Sequence, residues 1–250
     1  EGYRTFLLKW DVSQFFNPST VRNAFTQAFF SLSLGIGIMV AYSSYLDRKN
    51  NLPKESIGVV TLDTGVGLLA GMITFPIVLS FGLKDVISSS TVGTLFISLP
   101  TGLGTLGATG RLIAVLFFAL AYIAAITSSI SLLEVPVSSM MDRLGWTRHK
   151  SVFVSTAIFF FLGIPSALNL DLLGKMDSIF GGVLLILGGF LLSILLGWVV
   201  PRKFDEDLAG CDTKPRFRKY LKFMLRWVSP PVIAFGLIVS VIDLCQNWSG

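Results

Sequence analysis

Residues 21–45 read VRNAFTQAFFSLSLGIGIMVAYSSY, an apolar stretch with two glycines at its centre. About 20 mostly apolar residues cross a bilayer as one helix, but Gly35 and Gly37 each weaken a helix by roughly 1 kcal/mol relative to alanine. In lipid, backbone that leaves a helix must be buried in protein or must line a cavity. The sequence therefore predicts a membrane span that is broken between Gly35 and Gly37.

Polar side chains lie beside this predicted break, namely Gln27, Ser31 and Ser33. Together with exposed backbone groups they favour a binding site at the break. The alternative is that the glycine pair only allows a neighbouring helix to pack closely. The glycines alone support the two interpretations equally.

The composition indicates a membrane protein that crosses the bilayer several times. Hydrophobic residues make up 52% of the chain, charged residues make up 14%, and the mean hydropathy is +0.72. The net charge of +5 resides in short loops between apolar segments, so we reject nucleic-acid binding. The two cysteines, Cys211 and Cys245, lie at opposite ends of the last apolar segment, which disfavours a disulfide and a metal site.

The apolar segments predict an all-α fold with six transmembrane helices. They cover residues 21–45, 57–83, 112–137, 152–168, 179–200 and 223–244. The apolar run within residues 88–108 is too short to cross the bilayer, and we expect a re-entrant extracellular hairpin there. Residues 1–20 and 201–222 are predicted to be an extracellular and a cytoplasmic loop.

The basic residues predict the orientation of the chain. Of the 20 lysines and arginines, 14 lie in the loops after spans one, three and five, and six lie elsewhere. By the positive-inside rule these three loops are cytoplasmic, so both ends of the chain are extracellular or periplasmic. Because the chain begins outside without a methionine or a signal peptide, we expect it to be a fragment.

Asp63 is the most informative single residue, because an ionisable group inside a span is costly and marks an ion pathway or a pairing site. Gln27 and Ser31 are four residues apart on one helical face and could meet it. These oxygen ligands suit a small cation. Alternatively, Asp63 lies near the cytoplasmic end of its span and reaches water.

Hydroxyl groups in span three form a second candidate cation site. Thr127 and Ser128 follow Ala124 by three and four residues, so both hydroxyls can lie beside its carbonyl oxygen. Such hydroxyls commonly bond back to the preceding turn, which is the simpler interpretation. Glu134, one turn further on, could pair with Asp63 in an intramembrane enzyme if both faced a water-filled cavity.

Several of these segments together resemble the neurotransmitter:sodium symporter family, whose bacterial amino-acid transporters have the leucine-transporter fold. Residues 27–37 and 42–45 resemble the family's broken sixth span, and residues 95–100 resemble its fourth extracellular loop. Residues 124–129 resemble its eighth span, and residues 175–177 resemble the start of its tenth. The resemblance covers essentially the whole chain.

The resemblance implies that the chain holds the family's spans six to eleven and lacks the first five. Residues 21–200 would then be the second inverted repeat, with five spans and the hairpin, and residues 223–250 an additional span. In this family, substrate and sodium bind near the midplane, between the first and sixth spans. The missing N-terminal half of the protein would supply the rest of each site.

The resemblance also assigns roles to individual residues. The first sodium site would use Ser31 and Asp63, and the second would use Ala124, Thr127 and Ser128. The substrate pocket would be lined by Phe30, Ser33, Ile36, Ser128 and Leu132, with Phe30 as an aromatic lid. The outer and inner gate acids would be Asp177 and Asp142.

Chloride-dependent members of the family bind the anion near Gln27, with a small polar residue where this chain has Gly67, and commonly carry asparagine at the position of Asp63. A carboxylate at Asp63 can supply the counter-charge that chloride would supply. We therefore expect Na⁺ as the only coupled ion, with no chloride requirement.

These observations predict a sodium-coupled symporter of a hydrophobic or aromatic amino acid in the inner (cell) membrane, and not an enzyme. Its expected partners are the amino acid, the lipid bilayer and the absent half of the protein. A non-transporting membrane subunit remains an alternative, and it requires a continuous first span.

Overall fold

The computed structural model describes residues 12–13, 17–45, 51–80, 96, 99–210 and 215–248, and nearly all of them are helical. The helices are α1 (Pro18–Ser31), α2 (Ile38–Ser43), α3 (Leu52–Ser80), α4 (Leu99–Gly104), α5 (Gly107–Leu144), α6 (Arg148–Leu168), α7 (Leu170–Val199), α8 (Pro201–Gly210) and α9 (Pro215–Trp248). Turns of π-helix lie within α7, at Asp177–Leu184 and Leu195–Val199, and within α9, at Met224–Val228. The predicted all-α class is confirmed.

Four described helices are long and apolar enough to cross a membrane, namely α5, α6, α7 and the segment Pro215–Gln246 of α9. The count of six spans stays a prediction. Residues 88–95 and 97–98 of the predicted hairpin at 88–108 lie outside the described residues, and its described part includes α4 and the start of α5.

The chain forms two compact units. The smaller unit contains residues 1–11 and 61–130, and the larger contains residues 12–60 and 131–250. We describe each unit by itself. The predicted division into 1–20, 21–200, 201–222 and 223–250 concerns repeats and loops, and it stays a prediction.

The first predicted span is broken, as the sequence indicates. Helix α1 ends at Ser31, and the following backbone turns left-handed, with φ of +54° at Ser33, +82° at Gly35 and +91° at Gly37. Glycine adopts this conformation without steric cost. The N–H of Leu34 donates to the carbonyl oxygen of Phe29 at 2.8 Å, which satisfies one carbonyl at the end of α1.

Helix α1 packs against α7 and α9 in the larger unit. The buried side chains Phe29, Leu185 and Ile186 form the centre of this contact. Gly189 makes room for the ring of Phe29, because a Cβ atom on Gly189 would lie 2.1 Å from that ring. The broken span is therefore attached to this bundle by close packing over its first half.

An ion pair also joins α1 to α9. A guanidinium nitrogen of Arg22 lies 2.5 Å from a carboxylate oxygen of Asp243, and the two side chains are only 18% and 12% exposed. Charged side chains within apolar surroundings are tolerated when they pair with one another. This ion pair holds the start of α1 against α9.

Two helices begin earlier than the hydropathy predicts, because asparagines cap them. The Asn51 side chain accepts a hydrogen bond from the N–H of Lys54, and α3 begins at Leu52. The Asn169 side chain accepts from the N–H groups of residues 171 and 172, and α7 begins at Leu170. Asp177 consequently lies inside α7 and not at its start. The predicted loop 201–222 contains α8 and the first turns of α9.

We predict that Gly188→Ala destabilises the protein. A Cβ atom on Gly188 would lie 2.3 Å from the carbonyl oxygen of Gly35, so the break and α7 would have to separate. Overpacking of this kind costs about 1–3 kcal/mol. The measurement is the thermal unfolding midpoint of the detergent-solubilised protein. Gly174→Ala on the same helix is the control, since a Cβ atom there would meet nothing within 4 Å; equal midpoints for the two variants would contradict the prediction.

Candidate functional site

A cavity of about 590 Å³ lies beside the break in the larger unit. The break contributes Phe30, Gly35 and Ile36 to its wall. Helices α6 and α7 contribute the remaining lining residues, which are Leu162, Gly163, Ser166, Leu173, Met176, Asp177, Phe180, Gly181, Leu184 and Leu185. The wall is therefore mostly apolar with a few polar groups, which is the usual character of a small-molecule site.

The cavity brings together three of the predicted site residues. Phe30 and Ile36, predicted to line the substrate pocket, reach it from the two sides of the break. Asp177, predicted to be a gate acid, reaches it from the π-helical part of α7. A carboxylate oxygen of Asp177 lies 2.7 Å from the position that a Cβ atom on Gly181 would take, so this carboxylate lies directly against Gly181.

The other predicted residues of α1 and the break are close in sequence to residues that line the cavity. Ser33 lies within the break, in the left-handed conformation. Gln27 and Ser31 are exposed and lie four residues apart on one face of α1, as the sequence predicts.

The remaining predicted ion ligands belong to the smaller unit. Asp63 is half-buried and lies well inside α3, one turn before Gly67. In α5 the hydroxyl of Thr127 donates to the carbonyl oxygen of Ala124 at 2.8 Å. The sequence predicts this hydrogen bond to the preceding turn. It is compatible both with a cation site at these hydroxyls and with a purely structural role. Ser31 and Asp63 fall in different units, so their pairing stays a prediction.

A polar cluster joins the end of the broken span to α5 and α6 in the larger unit. The hydroxyl of Tyr45 donates to Glu134 at 2.7 Å, and two guanidinium nitrogens of Arg148 donate to the same carboxylate at 3.1 and 2.9 Å. The hydroxyls of Tyr42 and Ser131 lie 2.5 Å apart. Glu134 is only 8% exposed, and these donors compensate its burial.

Neither Tyr45 nor Arg148 was predicted to belong to a site, and Glu134 was predicted only as an alternative acid of an enzyme. The tyrosines and their partners share one spacing, since Tyr42 and Tyr45 are three residues apart, as are Ser131 and Glu134. That matched spacing is the signal that could have revealed the cluster. The predicted gate residue Asp142 lies two turns beyond Glu134, exposed in the last turn of α5.

Comparison with known proteins agrees with this architecture. The model of the sodium:neurotransmitter symporter family matches residues 2–248. The chain is similar to an uncharacterized sodium-dependent transporter of Haemophilus influenzae, with 31% identity over 95% of this chain and 52% of the relative. It is also similar to an uncharacterized sodium-dependent transporter of Methanocaldococcus jannaschii, with 33% identity over 96% of this chain and 50% of the relative.

A solved structure has the same fold. The crystal structure of MhsT in complex with L-phenylalanine superposes with a TM-score of 0.84 at 29% identity, over 96% of this chain and 56% of that chain. The chain thus spans about half the length of the relatives that it matches.

The matched family is one of transporters, so the intramembrane-enzyme alternative built on Asp63 and Glu134 is set aside. Several apolar helices identify a multi-pass membrane protein. The broken span, the predicted motifs and the match over nearly the whole chain lead to one conclusion: the chain belongs to the sodium:neurotransmitter symporter family.

Proposed function

We propose that the protein containing this chain is a sodium-coupled amino-acid symporter of the cell membrane. The observation that carries the proposal is the broken span, whose residues Phe30, Gly35 and Ile36 line a cavity of about 590 Å³. A non-transporting subunit would require a continuous first span, and the break argues against it. The names of the two relatives as sodium-dependent transporters support sodium coupling.

The substrate is a hydrophobic or aromatic amino acid. Apolar side chains from the break, α6 and α7 form most of the cavity wall, and such a wall favours an apolar side chain over a charged one. Phe30 acts as the lid and Ile36 as part of the wall, with Ser33, Ser128 and Leu132 completing the pocket. Binding of L-phenylalanine by MhsT, a relative of the same fold, supports this assignment.

Sodium binds at two groups of oxygen ligands, one containing Ser31 and Asp63 and the other containing Ala124, Thr127 and Ser128. The geometry of Thr127 supports the second group. Its hydroxyl donates to the carbonyl oxygen of Ala124 at 2.8 Å, so two of the proposed ligand oxygens lie side by side.

Transport does not require chloride, because Asp63 supplies the negative charge beside the first sodium. Gln27 and Gly67 are then the remnant of an anion site. The carboxylate lies half-buried inside α3, where its charge acts on neighbouring ions with less screening than in water.

The basic loops lie on the cytoplasmic side and both ends of this chain lie outside, as the distribution of lysine and arginine predicts. The matched part covers about half of each relative. We infer that the other half of the full protein supplies the remaining ligands, and that the two halves alternate access around the shared site.

The cluster of Tyr45, Glu134 and Arg148 closes the cytoplasmic side. It joins the end of the broken span to the adjacent ends of α5 and α6 through hydrogen bonds of 2.7–3.1 Å. Opening on that side would have to break these bonds. The cluster thereby couples the position of the broken span to cytoplasmic access.

The coupled ions can be identified by the uptake of labelled phenylalanine into proteoliposomes that contain the full-length protein. We expect uptake to require a sodium gradient and to be unchanged when gluconate replaces chloride. Asp63→Asn should abolish uptake or make it chloride-dependent, because the counter-charge is lost. Glu55→Gln, an exposed carboxylate at the start of the same helix, should behave as wild type. Chloride-dependent wild-type uptake would contradict the assignment of Asp63.

The role of Phe30 in the substrate pocket can be tested by substitution. Phe30→Ala should raise the KM for an apolar amino acid by roughly tenfold, since loss of the ring's contact with the bound substrate costs about 1–2 kcal/mol. Phe235→Ala is the matched control, because Phe30 and Phe235 are 58% and 57% exposed and Phe235 does not line the cavity. Equal KM values for the two variants would remove Phe30 from the pocket. Competition by leucine but not by lysine or aspartate should accompany the result.

The cluster of Tyr45, Glu134 and Arg148 can be tested through the pairing of Glu134 with Arg148. Glu134→Gln and Arg148→Met should each slow uptake, whereas the double variant should be less impaired than the sum of the two effects, because each single change leaves a charge without its partner. The measurement is a double-mutant cycle on initial uptake rates, with thermal unfolding midpoints recorded in parallel. Strictly additive effects would show that the two side chains do not act as a pair.

A further inference from the structure

A second cavity, of about 500 Å³, lies between the last turn of α7 and the start of the apolar part of α9. It shares no lining residue with the cavity at the break. Its wall consists of Ile194, Trp198, Arg226, Trp227, Pro230 and Pro231. We propose that this second cavity binds the headgroup of an anionic phospholipid, with the guanidinium of Arg226 as the ligand of the phosphate.

The two helices approach closely at this cavity because of Gly197. A Cβ atom on Gly197 would lie 3.3 Å from the carbonyl oxygen of Leu225 and 3.4 Å from the Cα atom of Arg226. A larger residue would therefore push α9 away from α7. The contact occurs between the π-helical turns Leu195–Val199 and Met224–Val228.

Two prolines leave the carbonyl of Arg226 open to a side chain. Pro230 and Pro231 follow Arg226 by four and five residues, and neither has an N–H group. The usual α-helical and π-helical donors to this carbonyl are therefore both missing. The indole N–H of Trp198 donates to it instead, at 3.2 Å. This hydrogen bond fixes the Trp198 ring as one wall of the second cavity.

The guanidinium of Arg226 lies against the Trp198 ring and has a hydrogen-bond donor that no described residue accepts from. Its central carbon lies 4.7 Å from the centre of the Trp198 ring. Its Nε atom is buried and has no hydrogen-bond partner among the described residues, and within that part of the chain Arg226 forms no ion pair. A buried donor without an acceptor is costly, and a phosphate oxygen matches the planar fork of a guanidinium.

The surroundings match the end of a phospholipid. Trp198 and Trp227 pack edge to face, with ring centres 5.4 Å apart, and both rings are about half exposed. Tryptophans of this kind lie at the boundary between the headgroups and the acyl chains. Ile194 and the two prolines supply an apolar wall that free phosphate would leave unused.

The nearby charges favour an anionic lipid over a zwitterionic one. The segment before the second cavity carries four basic residues on the first helical turns of α9, which are Arg216, Arg218, Lys219 and Lys222. Lys222 pairs with Asp205 of α8. Basic residues beside a membrane attract anionic lipid surfaces, so they would raise the local concentration of the headgroup that Arg226 binds.

The test is native mass spectrometry of the full-length protein, titrated with phosphatidylglycerol, with phosphatidylcholine or with inorganic phosphate. We expect phosphatidylglycerol to bind more tightly than phosphatidylcholine. Arg226→Gln should weaken phosphatidylglycerol binding by about tenfold, the loss expected for one charge-assisted bidentate contact. Arg226→Lys should give a smaller loss, because it keeps the charge and loses the fork.

Arg218→Gln is the matched control, since it removes the same charge from the neighbouring basic turns and should weaken binding no more than about twofold. Equal losses for Arg226→Gln and Arg218→Gln would overturn the proposal in favour of general attraction. Equal binding of the two lipids, or occupancy by inorganic phosphate in place of lipid, would also overturn it. If Arg226→Gln fails to fold, Arg226→Lys and Trp198→Phe decide, because both must weaken phosphatidylglycerol binding more than Arg218→Gln does.

Discussion

The contact of backbone with backbone between the break and α7 is the constraint on which the rest of the larger unit depends. A Cβ atom on Gly35 would lie 2.1 Å from the carbonyl oxygen of Leu185, and one on Gly188 would lie 2.3 Å from the carbonyl oxygen of Gly35. No side chain separates the two segments, so the non-helical backbone packs directly on α7 and also lines the cavity, which is an arrangement that a membrane allows. Phe30 and Ile36 are placed at the cavity by this contact.

The two halves of the broken span are attached to different helices. Helix α1 packs on α7 and α9 and is joined to α9 by the ion pair of Arg22 and Asp243. Beyond α2, the end of the broken span is joined to α5 and α6 through Tyr45, Glu134 and Arg148. The break thus connects α1 to α2, and these two segments are attached to different helices. This gives a physical basis for linking the binding cavity to alternating access.

Buried charge is compensated in the same way at both attachments. Glu134 and Asp243 are each 8% exposed, and each carboxylate accepts hydrogen bonds from an arginine that is distant in the chain. An unpaired carboxylate there would be strongly destabilised, whereas the pair is tolerated. Removing one partner is therefore more damaging than removing both, which makes these pairs specific connectors between helices.

The all-α membrane class, the break at Gly35 and Gly37, the hydrogen bond of Thr127 to Ala124 and the family could all be predicted from the sequence. These depend on hydropathy, backbone conformation and spacings within one turn, which are properties of residues near each other in the chain. The helix starts at Leu52 and Leu170 were not predicted, because hydropathy does not register the asparagine caps that precede them. Three contacts could not be predicted in this way: the hydrogen bond of Tyr45 to Glu134, the cavity that Asp177 shares with Phe30, and the hydrogen bond of Trp198 to the carbonyl oxygen of Arg226. Those contacts join residues far apart in sequence, and the packing of the helices, set by glycine contacts between backbones, brings them together.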